Sequence, residues 1–370
     1  MISLPETRRK STETLKAAGL FNPLRMVRLL KEAIAFFDLD LSGLTVLTEA
    51  ASAAYVTTPV LALMAGAKRV IGLTRSSPYA TVEEVISQTR ALERLCELGA
   101  ETEIHTDRSL DLFAQADIVT NLGFVRPITA DLISAMKPAA VLPLMAETWE
   151  VRPQDLDLEA CMARGILVFG TNEDFPGLEI FSYIGLLCAK MLYEAQIEVH
   201  KSKLILVSSD KFGATIEMHL KRAGAHVRIV SSEGYLRDVD LAASDAIIVA
   251  DYTRRDEIIG PEGNLNPSRL ARVAPQTAII HLAGKIDLKT ITEHGIPIYP
   301  EKRIGSRRMT LTLAHLGPKP VIDLHAAGLK VGELAARHRQ SGSLFSPNFA
   351  IHYKGHPLGQ PVQPPGVEQL

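Results

Sequence analysis

Residues 203–230 read as one continuous unit. An apolar, β-rich run, Leu204-Ile205-Leu206-Val207, leads into a polar turn, Ser208-Ser209-Asp210-Lys211-Phe212-Gly213. A helical segment follows with Ile216, Leu220 and Ala223 on one face, ended by Gly224, and then a second short strand, His226-Val227-Arg228-Ile229-Val230. A strand, turn, helix and strand in that order demand a crossover between parallel strands. Their turn falls where nucleotide-binding folds seat a phosphate at a helix N-terminus. One α/β lobe is expected before this unit, and the rest of a second lobe after it.

The same alternation runs through most of the chain. Strand candidates lie at 44–48, 69–73, 103–105, 117–120, 140–144 and 166–169, and in the second lobe at 204–207, 227–230, 246–250, 278–282 and 296–299. Helical patterns separate them, which predicts an α/β fold of two doubly wound, Rossmann-like parallel-sheet lobes. A length of 370 residues suits about two domains. The predicted division is a flavodoxin-like substrate lobe at 1–174, a dinucleotide lobe at 175–310, and a C-terminal helix with a proline-rich tail at 311–370. Residues 1–40 read as helical, with Asn22-Pro23 as a start signal and Met26, Leu29, Leu30, Ala33 and Phe36 on one face. Residues 175–200 read as one long hinge helix. The tail from Gln340 has five prolines in its last twenty-five residues and is expected to be extended, either wrapped on a neighbouring protomer or loose. The turn Glu49-Ala50-Ala51-Ser52-Ala53-Ala54-Tyr55 is small enough for close packing or a ligand, but its lack of glycine argues against a phosphate.

Composition excludes several classes. A chain that is 46% hydrophobic and 22% charged, with net charge −2, has no basic face for nucleic acid. No uncharged apolar run is long enough for a bilayer, and the N-terminus lacks a signal-peptide core. Cys96, Cys161 and Cys188 form neither a disulfide framework nor a zinc spacing, which points to a reducing, cytoplasmic setting. His352-x-x-x-His356 lacks a third ligand, so no metal is expected. The basic pairs Arg254-Arg255 and Arg307-Arg308 read as solvated faces.

Three stretches resemble the D-isomer-specific 2-hydroxyacid dehydrogenases of the formate/glycerate dehydrogenase-like group. They are Asp157 to Asn172, Lys203 to Gly224, and Thr312-Leu313-Ala314-His315-Leu316-Gly317 before a long helix. Adenosylhomocysteinase shares the two-lobe plan. The resemblance implies NAD or NADP bound over Ser208, Ser209, Asp210, Lys211, Phe212 and Gly213, with Ser231 and Ser232 at the ribose. It implies His315 as acid/base and Glu301 as its orienter. Gly284 stands where the family has an arginine, and Lys285 is the nearest cation. The departures are large: of the family's G-x-G-x-x-G only Gly213 remains, and Asp210 sets a carboxylate near the phosphates. The missing ribose acid, with Arg228 and Arg237 nearby in sequence, would suit NADP, or reflect a decayed adenosine site. In the substrate lobe the candidates are Glu147, Trp149, Arg152, Asn121 and Arg126, and the two nearby acids Glu147 and Glu150 favour a substrate bearing an amine or guanidine.

The expected function is therefore an NAD(P)-dependent oxidoreductase acting on a small polar 2-hydroxy- or 2-oxo-acid-like substrate in an interlobe cleft. The resemblance further implies a homodimer, with no nucleic-acid or membrane partner. Two alternatives stay open: a non-redox ligand-binding or regulatory protein with a degenerate dinucleotide site, and a biosynthetic enzyme of another class that binds a nucleotide-like substrate in the first lobe.

Overall fold

The structure, a computed structural model, describes residues 6–234, 236–305, 307–342 and 349–362. In chain order its elements begin with α1 (Glu6–Ala17), α2 (Pro23–Phe37), β1 (Thr45–Glu49), α3 (Thr57–Met64), β2 (Arg69–Leu73), α4 (Val82–Leu95), β3 (Glu103–His105) and α5 (Leu110–Gln115). Next come β4 (Ile118–Val119), α6 (Ala130–Ala135), β5 (Val141–Pro143), α7 (Leu158–Arg164), β6 (Leu167–Thr171), α8 (Ser182–Glu194), β7 (Lys203–Val207) and α9 (Lys211–Arg222). They continue with β8 (His226–Val230), α10 (Asp238–Ala242), β9 (Ala246–Ala250), β10 (Glu257–Ile259), α11 (Pro267–Val273), β11 (Ala278–Ala283) and β12 (Lys285–Ile286). The last are α12 (Leu288–Glu293), β13 (Ile298–Tyr299), α13 (Lys319–Gln340), β14 (Ile351–Tyr353) and β15 (His356–Pro361). The chain divides into unit 1, Met1–Leu178 with Gly317–Leu370, and unit 2, Glu179–Leu316. The C-terminal segment thus belongs to unit 1.

Unit 1 is built on an eight-stranded sheet in the order β14-β15-β6-β5-β4-β1-β2-β3. Strands β3-β2-β1-β4-β5-β6 are all parallel. That is the 3-2-1-4-5-6 order of dinucleotide-binding folds. β1 is buried along its whole length, as a central parallel strand covered on both faces must be. Leu47, Ile71, Phe113, Val119 and Leu142 anchor the core on one side. α13 approaches closely enough that a Cβ on Gly332 would stand 2.9 Å from Pro143 and 3.0 Å from Ile118. Asn22 caps α2 by accepting the Arg25 N–H at 3.0 Å. Met26, Leu29, Leu30 and Ala33 are buried as the periodicity predicts, but Phe36 is 39% exposed and Phe37 takes the inward place.

The tail departs from expectation. Residues 351–361 form a hairpin that pairs antiparallel with β6, with Gly359 opposite Thr171, and so cover a sheet edge that would otherwise stay open. The rest of the tail, 343–348 and 363–370, lies outside the described residues.

Unit 2 holds a five-stranded parallel sheet, β13-β11-β9-β7-β8. Counted within the unit this is 2-1-3-4-5, the flavodoxin-like order. Ile205, Ile247, Val249, Leu270 and Ile279 form its core. The expected hinge helix is shorter than 175–200: α8 covers Ser182–Glu194, and turns flank it, with Gly177 at φ +84° on its N-terminal side. The strand orders also fall the other way round from the expected lobe assignment. The flavodoxin-like order belongs to the second unit, and the dinucleotide-type order to the first. Among the described residues no helix is long and apolar enough to cross a membrane.

Candidate functional site

In unit 2 the strand order reverses between β7 and β9, so the turn 208–213 and the loop 251–254 share the crevice at the strand ends. Carboxylates close it. Asp210 is the N-cap of α9, and its Oδ1 accepts the Phe212 N–H at 3.0 Å. Its Oδ2 accepts the N–H groups of Tyr252 at 2.6 Å and Thr253 at 3.2 Å. Asp251 accepts the Ser209 N–H at 3.0 Å and the Arg254 N–H at 3.1 Å. Burial pushes the Asp210 carboxyl up, and the Asp251 charge adds to it against the backbone donors. The donors that a pyrophosphate would need are thus already used by the protein's own acids.

The other expected cofactor residues do converge here, as a hydroxyl cluster. Ser209 Oγ lies 3.1 Å from Ser231 Oγ and 2.8 Å from Ser232 Oγ, and Arg254 donates to Ser232 Oγ at 3.1 Å. Arg254 is largely buried, not solvated, because these serines give its guanidinium a partner. A Cβ on Gly213 would stand 2.8 Å from Ser208 Cβ and 2.9 Å from Ile229 Cδ1, so this glycine serves helix-to-strand packing. Lys211 Nζ sits 3.5 Å from the centre of the Phe181 ring. A dinucleotide does not fit this turn as it stands.

The expected catalytic set is not assembled. His315 lies in a 3-10 turn, Leu313–Leu316, and its Nε2 meets the Glu194 carboxylate at 2.8 and 2.9 Å. The Tyr299 hydroxyl donates to the same carboxylate at 2.5 Å, and Lys190 Nζ donates to the His315 carbonyl at 2.5 Å. Burial pushes the Glu194 carboxyl up, but the Tyr299 and His315 hydrogen bonds, with the His315 and Lys190 charges, bring it below the ordinary range. So the orienting acid is Glu194, and Glu301 is exposed with no hydrogen bond to the imidazole. Lys285 is exposed at the start of β12. Gly284 has φ +108°, and a Cβ there would stand 2.7 Å from Ile258 Cδ1, so an arginine at that position would strain the backbone and displace the isoleucine. His315 is also far from the turn 208–213. Phe181, beside Phe212 with ring centroids 6.1 Å apart, precedes α8, and Glu194 ends it. Thirteen helical steps separate the two by about 20 Å. A carboxylate-held imidazole remains suited to move a proton through its other ring nitrogen.

The expected substrate residues all lie after β4 and β5 of unit 1, where they brace the sheet edge. Arg126 Nη1 and Arg152 Nε both donate to Asp155 Oδ2, at 2.9 and 2.6 Å, so one acid holds both cations. Asn121 Oδ1 accepts the Met145 N–H at 2.8 Å. Glu147 is buried, accepts the Glu173 N–H at 3.0 Å, and shares a capping box with Glu150 around the short turn that carries Trp149. These bonds tie Glu147 to the backbone around the turn.

The switch point of unit 1 is different. Its turn 50–56 joins β1 to α3 beside β4. Ala53 stands at φ +54°, in the left-handed region where a glycine is favoured, and its N–H donates to the buried Gln88 Oε1 at 2.9 Å. The N–H groups of Ala51, Ser52 and Ala54 have no acceptor among the described residues. Gly72 lets β2 approach this turn: a Cβ on it would stand 3.0 Å from Ala50 Cβ. Glu49 ends β1, is buried, and accepts the Phe124 N–H at 3.2 Å. Burial pushes its carboxyl up against the pull of the Phe124 N–H and the Arg126 charge. At the end of β2 the Thr74 hydroxyl is buried without a partner, and Arg75 lies 5.6 Å from the Phe124 ring centre. Alanines in place of glycines hid this turn from sequence reasoning.

Fold and site thus define a two-unit α/β protein with one dinucleotide-type and one flavodoxin-type sheet. No family model matches the sequence, and no curated protein matches it. Among solved structures it is similar to a dipicolinate synthase polypeptide from Bacillus subtilis, with 13% identity over 83% of this chain and 100% of that one and a TM-score of 0.50. It is also similar to a dipicolinate synthase polypeptide from Bacillus halodurans, with 11% identity over 78% of this chain and 96% of that one and a TM-score of 0.48. A third match is the NAD+-bound 3-phosphoglycerate dehydrogenase of Entamoeba histolytica, with 12% identity over 82% of this chain and 97% of that one and a TM-score of 0.42. At these identities the likeness is one of fold, shared with D-2-hydroxyacid dehydrogenase-like proteins.

Proposed function

We propose that the protein is an NAD(P)-dependent oxidoreductase that carries its dinucleotide on unit 1, at the β1–β4 switch point, and acts on a small polar hydroxy or oxo compound. One observation carries the reading: the 3-2-1-4-5-6 strand order coincides with the unpaired N–H groups of Ala51, Ser52 and Ala54. These residues fit a phosphate, because the small side chains leave the backbone open and the turn feeds the N-terminus of α3. A bound nicotinamide would supply the hydride chemistry. The chain's own residues would seat the phosphates on the Ala51, Ser52 and Ala54 amides, with Ala53 held by Gln88 and the β1 end by Glu49. Within unit 2, the His315 imidazole with its Nε2 held by Glu194 is an arrangement suited to proton transfer.

Calorimetric titration with NADPH and NADH tests this, using Ser52→Glu in unit 1 and Lys211→Glu in unit 2. The reading expects saturable binding that Ser52→Glu abolishes and Lys211→Glu leaves within about twofold, because a carboxylate on the seat repels the phosphates. Loss of binding in Lys211→Glu alone would move the cofactor to unit 2.

A second reading, a non-redox ligand-binding or regulatory protein, is favoured by the Asp210–Asp251 closure and by the glycine, at φ +108°, that stands at position 284. Absence of binding with either dinucleotide at millimolar concentration would support it.

A further inference from the structure

The ends of β2 and β3 in unit 1 carry a cationic and hydroxylic group that the fold itself does not use. Arg75 follows the end of β2, is exposed, and has no ion pair or hydrogen bond among the described residues. Its guanidinium carbon lies 5.6 Å from the centre of the Phe124 ring. Arg108 follows β3 and donates through Nη2 to the Pro127 carbonyl, while its Nε is buried without a partner. Burial first, and then the Arg75 charge, hold the Arg108 guanidinium below its ordinary range, with the Asp131 charge acting the other way. Thr74, 3% exposed, directs a buried hydroxyl to no partner at the same strand end. Ser76 follows Arg75 with its side chain exposed, and Tyr79, 78% exposed, offers a free ring face in the same loop. No carboxylate occurs between Arg69 and Tyr79, and the acid that acts on Arg108 is Asp131 of α6.

We propose that Arg75, with Arg108 beside it, binds a phosphate ester on the adenosine ribose, so that the protein selects a 2′-phosphorylated dinucleotide over its unphosphorylated counterpart. This rests on the reading of unit 1 as the dinucleotide carrier. The end of the second strand is where such folds meet the ribose, and an arginine there accommodates a 2′-phosphate where an acid would bind the free hydroxyl. A guanidinium pairs with phosphate through parallel N–H donors, and one with no competing carboxylate keeps all of them for the ligand.

The test is calorimetric titration of the full chain with NADPH, NADH, 2′,5′-ADP and 5′-ADP. Wild type, Arg75→Ala and Arg108→Lys are compared, with thermal melting to check that each is folded. The expected result is NADPH at least about tenfold tighter than NADH, and 2′,5′-ADP tighter than 5′-ADP by a similar factor. In Arg75→Ala the ratio collapses to about one, because only the 2′-phosphorylated ligands weaken. Added salt weakens NADPH more than NADH. Equal wild-type affinities would overturn the proposal and leave the dinucleotide reading standing. So would a preference that survives in both variants. No binding of any of the four ligands would overturn both.

Discussion

The Asp210 carboxylate accepts the Phe212 N–H at 3.0 Å, and so fills the anion seat at the start of α9 with a side chain of the protein itself. The same acid reaches across to the Tyr252 and Thr253 amides, which makes it a brace between two loops of unit 2. Replacing it by alanine removes a helix cap and strands buried N–H donors. Asp210→Ala should therefore lose about 2 kcal/mol of stability in urea denaturation, and NADPH affinity should not change. A loss of affinity with full stability would restore the turn 208–213 as a phosphate seat.

Ala53 holds a left-handed conformation at φ +54° in the turn that follows β1. A Cβ there costs roughly 1 kcal/mol, which a glycine would relieve at some expense in unfolded-chain entropy. Ala53→Gly should raise the stability measured in urea denaturation by about 0.5 kcal/mol or more. A destabilised variant would show that Cβ packing outweighs the backbone conformation.

His325, on α13, is buried and meets the Thr58 hydroxyl through Nδ1 at 2.6 Å. Burial pushes its pKa down from 6.5 to about 3. The unfolded chain therefore takes up a proton before the folded one as pH falls. The contribution is complete above 6.5 and is lost progressively from there down to about 3. It amounts to roughly 1.4 kcal/mol per pH unit inside that window. Urea denaturation at pH 7 and pH 5 should show this slope in wild type and a smaller one in His325→Gln. Equal slopes in the two proteins would mean that the imidazole is not held neutral.

His315 and Glu194 form a pair that can be probed apart from the cofactor. His315→Asn should lower turnover by about a hundredfold or more while dinucleotide affinity stays the same. Glu194→Gln should lower turnover by a smaller factor, because the carboxylate holds the imidazole through Nε2. Unchanged turnover in His315→Asn would remove this histidine from the chemistry.

Much of the architecture was legible in the sequence. The strands at 69–73, 103–105 and 246–250 form as read, because their apolar runs sit between clear helical periods and turn residues. Strand order was not legible, since local patterns do not say which strand pairs with which, and the proposed dinucleotide seat on unit 1 rests on it. The tail hairpin was missed because Pro357 and Pro361 mask β15 in the sequence, although it pairs with β14 on one side and β6 on the other. Arg126 and Arg152 looked like ligand groups, yet both are spent on Asp155, which only the fold brings between them. Glu194 was invisible as the partner of His315 because 121 residues separate the two in sequence.

Backbone hydrogen exchange with and without saturating NADPH reads the location of the dinucleotide directly. Protection should appear at 50–56 and 74–79 of unit 1, where unpaired amides and Arg75 meet the ligand, while exchange at 208–213 stays as it is. Protection confined to 208–213, with 50–56 unchanged, would contradict the assignment of the cofactor to unit 1.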